Sequence, residues 1–286
     1  MFERFVAVDW SASATPKRGR DSVWIAATDA EVVDAWNPPT RAVAEAALVD
    51  LLENDPDRST LIGVDFSLGY PAGTAQALGF DSTAWRSTAR LIADLVVDDE
   101  RNANNRFEVA AELNRRITGG PAPFWGCPPS ASAPTLSPTK PAAGGRLPQW
   151  RMVETMLRSQ GRRPFSSWQL LGAGAVGGQS LLGIPMVLRL ADRYGPRLQV
   201  WPFTTGLCAP VTGSGTVVVA EMWPSLLGEP PMDGFVRDEF QVRSLVGWLA
   251  AADAAGRLGD LFAPAVSAPA RRLVETEEGW VLGAVV

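Results

Sequence analysis

The segment Phe5-Val6-Ala7-Val8-Asp9 is a run of apolar residues that ends on a carboxylate. The same pattern recurs in Leu61-Ile62-Gly63-Val64-Asp65 and in Val217-Val218-Val219-Ala220-Glu221. Short apolar runs rich in β-branched residues predict buried strands of an α/β sheet. Open sheets of this class bind ligands in the crevice at their strand ends. Three carboxylates at matching strand positions therefore predict a metal or phosphate site.

The residues on either side of the first two runs predict a definite order of elements. Three strands are expected first, over Arg4–Trp10, Ser22–Thr28 and Glu31–Trp36. The tight turn at Asp29-Ala30 favours an antiparallel hairpin between the last two. Thr40 is expected to cap a helix over Arg41–Glu53, which leads to a strand over Leu61–Phe66. This order resembles the beginning of a ribonuclease H-like α/β fold.

Residues 71–168 interrupt the alternation of strands and helices. Their patterns predict three helices, over Ser82–Val97, Arg106–Ile117 and Gln149–Gln160. A loop rich in Pro, Ser, Ala and Gly spans Pro121–Pro148. We interpret the segment as a large helical insertion or lid within a single domain that spans residues 1–286. After it we expect a helix over Gly178–Arg193, a strand over Arg197–Trp201 and the strand Val217–Glu221. A helix over Asp238–Ala255 and a final hairpin of Arg272–Thr276 and Gly279–Val285 are expected to follow.

The chain contains no histidine. This excludes Ser-His-Asp and Cys-His catalysis, the usual zinc ligand sets and the commonest general base. Acid–base or metal chemistry must then depend on carboxylates, and oxygen ligands favour Mg²⁺ or Mn²⁺ over zinc.

Charge is unevenly distributed along the sequence. The net charge is −5, but the stretch from Arg86 to Arg163 carries twelve Lys or Arg against seven Asp or Glu. A basic segment beside acidic strand ends suits an anionic substrate that a metal bridges. The alternative is that these arginines solvate exposed helices.

No feature of the sequence indicates a membrane or an oxidising compartment. The weakly polar stretch Leu170–Leu190 is interrupted by polar residues, Pro185 and glycines, which argues against a membrane span. The first residues lack the pattern of a signal peptide. Cys127 and Cys208 are the only cysteines and cannot form a disulfide framework. We therefore expect a cytoplasmic location and no membrane partner.

Each candidate acidic residue also has a structural explanation. Asp9 could cap the turn that follows it, although the small residues after it, including Ser11, would let a phosphate approach the backbone. A buried carboxylate such as Glu221 needs a metal or a salt bridge, and an arginine of residues 71–168 could provide the latter. Asp238 lies at the predicted start of a helix, where acids also offset the macrodipole.

Two further motifs are weaker. Gly172-Ala173-Gly174-Ala175-Val176-Gly177 matches a dinucleotide-binding fingerprint. However, the next strand does not end in the acid that the fingerprint requires. We favour a glycine turn that leads into a helix N-terminus, where an anion can bind. Cys127, in Phe-Trp-Gly-Cys-Pro, has no histidine to activate it and is interpreted as a packed loop residue.

The motifs together resemble an uncharacterised bacterial family that is grouped with predicted nucleases of the ribonuclease H-like superfamily. The resemblance covers nearly the whole chain and rests on Val6-Ala-Val-Asp9-Trp-Ser, Ile62-Gly-Val-Asp65-Phe-Ser-Leu-Gly-Tyr-Pro, Phe124-Trp-Gly-Cys-Pro, Trp168-Gln-Leu, Val200-Trp-Pro-Phe and Ala220-Glu-Met-Trp-Pro-Ser. It implies a mixed sheet flanked by helices. It also implies that acids on the first strand, the fourth strand and the last helix bind two divalent ions. Asp9, Asp65 and Asp238 fit those places, and Glu221 would add a further strand acid.

Our principal hypothesis is a divalent-metal-dependent phosphoryl-transfer hydrolase, either a nuclease or a phosphoesterase. Asp9, Asp65, Glu221 and Asp238 would hold Mg²⁺ or Mn²⁺ and supply the base. Substrate phosphate would be contacted by Ser11, Arg101, Arg106 and Arg151. The low pI of about 5.0 and the helical insertion argue against long nucleic acid as the substrate. The alternatives are a nucleotide- or metabolite-binding protein without turnover and an actin-like ATPase.

Overall fold

The computed structural model describes residues 1–29, 32–80, 85–142, 145–172, 174–228 and 234–285. The strands are β1 Arg4–Asp9, β2 Trp24–Thr28, β3 Val33–Trp36, β4 Thr60–Val64, β5 Leu198–Val200 and β6 Val217–Glu221. The helices are α1 Arg41–Asn54, α2 Thr74–Ala77, α3 Trp85–Leu95, α4 Arg106–Ile117, α5 Met152–Ser159, α6 Gly177–Tyr194, α7 Arg237–Ala254, α8 Leu258–Leu261 and α9 Ala268–Leu273. A π-helical turn, Val274–Glu278, follows α9.

The six strands form one mixed sheet in the order β3-β2-β1-β4-β6-β5. β2 pairs antiparallel with both β1 and β3. The pairs β1–β4, β4–β6 and β6–β5 are parallel. The predicted antiparallel start, followed by a helix and a further strand, is therefore confirmed.

Alternate residues of the central strands face two separate apolar cores. Val6 and Val8 of β1 belong to a core that α1, α3, α4 and α6 cover. Phe5 and Ala7 belong to a second core, which α5, α7, α8 and the segment after α9 cover. This two-residue period follows from the pleat of a strand, and it explains why the sheet strands are apolar at almost every position.

The helices of residues 71–168 pack as part of the main body of the protein. Trp85 and Ile92 of α3, Val109 of α4 and the loop residue Phe124 are buried in the same core as Val6 of β1. α4 occupies its predicted range, whereas α5 is shorter than predicted. Within the described ranges, no helix combines the length and the apolar character that crossing a bilayer requires.

The predicted C-terminal hairpin is wrong. The short helix α9 follows its N-cap residue Ser267, and the end of α9 together with the π-helical turn occupies the first predicted strand. In that turn Glu277 accepts hydrogen bonds from the backbone amides of Gly73 and Ala75. These contacts hold the segment against the start of α2, and Val281 forms a parallel bridge to the sheet opposite Glu221.

Some predicted features lie outside the described residues. They are Ala30 and Glu31 of the first hairpin, Ser82 at the predicted start of α3, and Ala173 of the glycine motif. Thr40 caps α1 as predicted, since its side chain accepts a hydrogen bond from the amide of Val43.

Candidate active site

The pairing of β1 with β4 places Asp9 and Asp65 side by side. Val8 is the register partner of Val64, so the next residue on each strand is an aspartate at the same edge of the sheet. The backbone amide of Asp65 donates to the carbonyl of Val8 at 3.2 Å, which continues the ladder by one step. Both carboxyl groups are half-buried at the floor of one cavity.

Asp65 is oriented by two donors that belong to different elements. The backbone amide of Trp10 donates to its Oδ1 at 2.8 Å. The side chain of Gln179, in the first turn of α6, donates to its Oδ2 at 3.4 Å and to the carbonyl of Trp10. Asp65 is therefore fixed in position, and Gln179 connects the glycine turn before α6 to the pair of aspartates.

The pKa values of both carboxyl groups are raised. Burial raises the pKa of Asp9 well above its usual range, and the adjacent charge of Asp65 raises it further. Burial also raises the pKa of Asp65, to about 6, although hydrogen bonds from Asp9 and from the Trp10 amide oppose the increase. Two carboxylates this close do not both ionise readily without a positive charge between them. A cation would remove this cost.

Asp238 lines the same cavity from the start of α7. It is buried, and burial raises its pKa. Its Oδ2 accepts a hydrogen bond of 2.6 Å from the backbone amide of Asp21. Asp21 has a φ of 54°, in the left-handed region, and its exposed carboxylate is 3.6 Å from Lys17 and 3.8 Å from Arg20. Asp238 thus fixes a strained loop residue that adds a fourth acid to the cavity.

The cavity has a volume of about 790 Å³ and a wall rich in cations. Arg106, Arg162, Arg163 and Arg237 line it together with Lys17 and Arg20. Of these, Lys17 and Arg20 pair with Asp21, whereas the described carboxylates form no ion pair with the other four. The site therefore combines acids at its floor with unpaired arginines around them.

Two buried donors of cavity residues lack a hydrogen-bond partner in the described part of the chain. They are the indole Nε1 of Trp10 and the guanidinium Nε of Arg106. Burial also lowers the pKa of Arg106, with the charge of Arg41 as a second cause. An unsatisfied buried donor is uncommon and costs free energy unless a ligand or water accepts from it.

The loop after β1 is held in place by a buried arginine. Arg41, at the start of α1, donates to the carbonyls of Ser11 and Ser13 at 2.9 and 2.7 Å. Its guanidinium also pairs with Asp98. Ser11 itself lines the cavity, and its hydroxyl donates to the carbonyl of Asp21. Arg41 and its partner Asp98, which follows α3, therefore support the loop after β1. This loop contains Ser11, which the sequence predicted to contact phosphate.

Glu221 does not join the aspartate pair. It lies on β6, which is separated from β1 by β4, and its side chain is fully buried. Arg151 donates to its two oxygens at 2.6 and 2.7 Å, and the amide of Leu68 donates at 3.1 Å. The structure therefore gives Glu221 the salt bridge that the sequence left open as the alternative to a metal.

Arg151 is equally inaccessible to a substrate. It is fully buried, and its remaining donors contact Glu154 at 3.0 Å and the carbonyl of Glu278 at 3.0 Å. Arg101 is exposed in the turn after α3 and does not line the cavity. Of the predicted site residues, the structure thus brings together Asp9, Asp65, Asp238, Ser11 and Arg106, and it places Glu221, Arg151 and Arg101 elsewhere.

Several cavity residues were not identified from the sequence. Gln179, Asp21 and Phe165 follow no motif in the sequence. The only available signal was for Gln179, which directly follows a glycine-rich turn. Gly172 and Gly174 of that turn line the cavity with φ values of 109° and 72°, which favour glycine.

The aspartate pair is the part of the site that could hold a metal. No group of three or more carboxylate or cysteine side chains suited to a metal ion occurs among the described residues. Mg²⁺ commonly binds to only one or two protein carboxylates, with water and substrate phosphate as its other ligands. The donor set of Asp9 and Asp65 fits that mode of binding. It does not fit a closed site built from protein ligands alone.

Comparisons of the chain with protein-family models, with curated proteins and with solved structures found no match.

Proposed function

We propose that this protein is a divalent-metal-dependent phosphoryl-transfer hydrolase whose active site is the cavity above Asp9 and Asp65. The observation that carries the proposal is the half-buried pair of carboxyl groups with raised pKa values and no cationic partner among the described residues. Strongly perturbed acids in a cleft are typical of catalytic sites. The unpaired arginines around the pair favour an anionic substrate.

The strand order supports placing the fold among ribonuclease H-like proteins. Three strands with antiparallel pairing precede a fourth that lies parallel to the first, and the aspartates follow β1 and β4. Asp238 lies at the start of the long helix α7 and faces the same cavity. These positions match the acids that the sequence resemblance implies.

The residues of the cavity suggest distinct tasks. Bound Mg²⁺ or Mn²⁺ would neutralise phosphate charge and lower the pKa of a water molecule. Asp65, fixed by the Trp10 amide and Gln179, would provide a rigid ligand, and Asp9 would release its proton to become the second ligand. Asp238 would accept a proton from the attacking water through the oxygen that Asp21 does not contact. Arg106 would hold the substrate phosphate through its unsatisfied donor.

The second candidate function is binding of a nucleotide or an anionic metabolite without turnover. The observation that favours it is the lack of a third acid close enough to complete a metal group within the described residues. In this case the arginines would hold the ligand and the aspartates would contact it through a single cation. Turnover separates the two candidates.

The test is a Mn²⁺ titration by electron paramagnetic resonance, combined with a hydrolysis screen of phosphomonoesters and phosphodiesters. Asp9→Asn and Asp65→Asn are expected to weaken Mn²⁺ binding at least about tenfold and to abolish metal-dependent hydrolysis. Asp94→Asn is the control, because Asp94 is an exposed acid on α3 that does not line the cavity. Full activity in folded Asp9→Asn would refute the proposal. Metal binding without any hydrolysis would favour the second candidate.

A further inference from the structure

The wall of the cavity carries an exposed aromatic ring with no aromatic partner. Phe165 is 44% exposed and lines the cavity, as does Leu171, which is equally exposed. The other strongly exposed phenylalanine of the described residues, Phe235, lies under the guanidinium of Arg243. No ring or cation covers Phe165 in the described part of the chain. A large apolar group exposed inside a cleft is typical of a ligand contact.

The ring of Phe165 is held in a fixed position. It lies against the backbone of Gly174, where a Cβ atom would come within 2.1 Å of the ring. Its chain neighbours Pro164 and Ser166 are buried, and the Ser166 hydroxyl donates to the carbonyl of Gln149 at 2.9 Å. One face of the ring is thus supported by the protein while the side chain remains exposed. Such a preformed surface suits stacking, because little conformational entropy is lost on binding.

Positively charged side chains line the same cavity as this ring. Arg162 and Arg163 precede it in the chain, are exposed and line the cavity, and the described carboxylates form no ion pair with them. Arg106 adds a third cation that forms no ion pair with a described carboxylate, and its buried Nε has no hydrogen-bond partner among the described residues. An aromatic surface that adjoins several arginines matches a ligand with a planar ring and one or more phosphate groups.

The size of the cavity restricts the ligand further. A volume of about 790 Å³ is within the usual range of roughly 300–1,000 Å³ for sites that enclose small molecules. We propose that the cavity binds a mononucleotide, whose base stacks on Phe165 and whose phosphate lies between the arginines and the aspartate pair. The inference rests on the proposed function, because it places the phosphate at the same pair of aspartates. It selects a small nucleotide over a long nucleic acid.

The test is calorimetric titration of the full chain in the presence of Mn²⁺. The ligands are AMP, ADP and GMP, with ribose 5-phosphate and pyrophosphate as phosphates without a base, and a single-stranded octanucleotide. We expect the mononucleotides to bind at least about fivefold more tightly than ribose 5-phosphate, since stacking of one base contributes a factor of roughly 5 to 150. Phe165→Ala should remove that preference and leave the affinity for ribose 5-phosphate unchanged.

Two control variants make the result specific. Phe235→Ala removes an exposed phenylalanine outside the cavity lining and is expected to leave all affinities unchanged. Arg163→Ala should weaken mononucleotides and ribose 5-phosphate by a similar factor, because it removes a phosphate contact and leaves the stacking surface in place.

The outcomes separate this inference from the proposed function. Equal affinity for ribose 5-phosphate and AMP, or unchanged nucleotide affinity in Phe165→Ala, would overturn the inference. Tighter binding of the octanucleotide than of any mononucleotide would also overturn it. If Asp9→Asn nevertheless abolishes metal-dependent hydrolysis, the proposed function stands while the substrate class is wrong. A base preference that depends on Phe165 supports the inference, with or without turnover.

Discussion

Replacing Arg151 by methionine tests whether Glu221 is structural or metal-binding. The guanidinium of Arg151 is fully buried and makes four hydrogen bonds, of 2.6 to 3.0 Å, to Glu221, Glu154 and the carbonyl of Glu278. In Arg151→Met, Glu221 would keep only the amide of Leu68 as a donor. Two buried carboxylates would then lack their counter-charge.

The expected cost follows from this geometry. Breaking a buried ion pair by removing one partner destabilises a protein by about 3–5 kcal/mol. The free energy of unfolding of a protein is about 5–15 kcal/mol, so the variant would lose a large part of its stability. For a domain of this size the corresponding decrease in Tm is about 10 °C. The pKa of Glu154 is already raised by burial, so removal of Arg151 is expected to leave that side chain protonated.

Urea unfolding followed by tryptophan fluorescence measures the effect. Arg193→Met is the control, since Arg193 pairs with Glu53 on the exposed surface, and it should cost less than about 1 kcal/mol. Adding Glu221→Gln to Arg151→Met should recover part of the loss, because it removes a stranded charge. A change of less than about 1 kcal/mol in Arg151→Met would refute the structural role. So would loss of Mn²⁺ binding in a Glu221→Gln variant of unchanged stability.

Three further predictions follow from individual contacts. The raised pKa of Asp65, about 6, means that the folded state binds more protons than the unfolded state between about pH 4 and 6, so this residue lowers stability as pH increases through that window. Without divalent metal, the stability of Asp65→Asn relative to wild type should therefore increase by about 2 kcal/mol when the pH is raised from 4 to 7.5, as measured by thermal unfolding; a stability difference that does not change with pH would contradict the raised pKa of Asp65. Gln179→Leu removes a donor to Asp65 and should weaken Mn²⁺ binding about tenfold in the same resonance titration, with little change in Tm; unchanged affinity would show that Gln179 does not position the aspartate. Gly69→Ala should lose about 3 kcal/mol in urea unfolding, because its Cβ would lie 2.4 Å from the carbonyl oxygen of Glu277, whereas Gly247→Ala on α7 has open space and should gain up to about 1 kcal/mol; a neutral Gly69→Ala would show that this backbone can shift.

The pair Asp9 and Asp65 shows which part of the site the apolar strand patterns could predict. Asp9 and Asp65 were identified because each ends an apolar run, and adjacent parallel strands bring the ends of such runs together. Glu221 has the same local pattern and a different environment. Its sequence does not reveal that β4 separates β6 from β1, or that Arg151 reaches it from 70 residues away in the chain.

The residues that define the cavity wall lie beyond what the sequence could indicate. Phe165, Arg162 and Gln179 come from a loop and a helix start that contact the sheet edge only after the chain has folded. Loop conformations depend on many individual contacts, such as the one between the Phe165 ring and Gly174. No periodicity or motif encodes a contact of this kind.

The C-terminal segment shows the same limit for secondary structure. Residues 272–285 have the apolar content of a hairpin, yet Glu277 and Glu278 accept hydrogen bonds from backbone amides near α2 and α5. These tertiary contacts outweigh a local strand preference, because they satisfy buried amides that would otherwise lack partners.

The sequence by itself determined the strands of the sheet, most of the helices and the positions of the two aspartates at strand ends, because apolar periodicity, helix capping and residue type are local properties. Tertiary structure decided which acids meet, which arginine is buried and which aromatic ring faces the cavity. These outcomes depend on strand order and on contacts between residues that are distant in the chain. Because burying an unpaired charge is costly, each charged group lies either beside a partner within the protein or at a position open to a ligand.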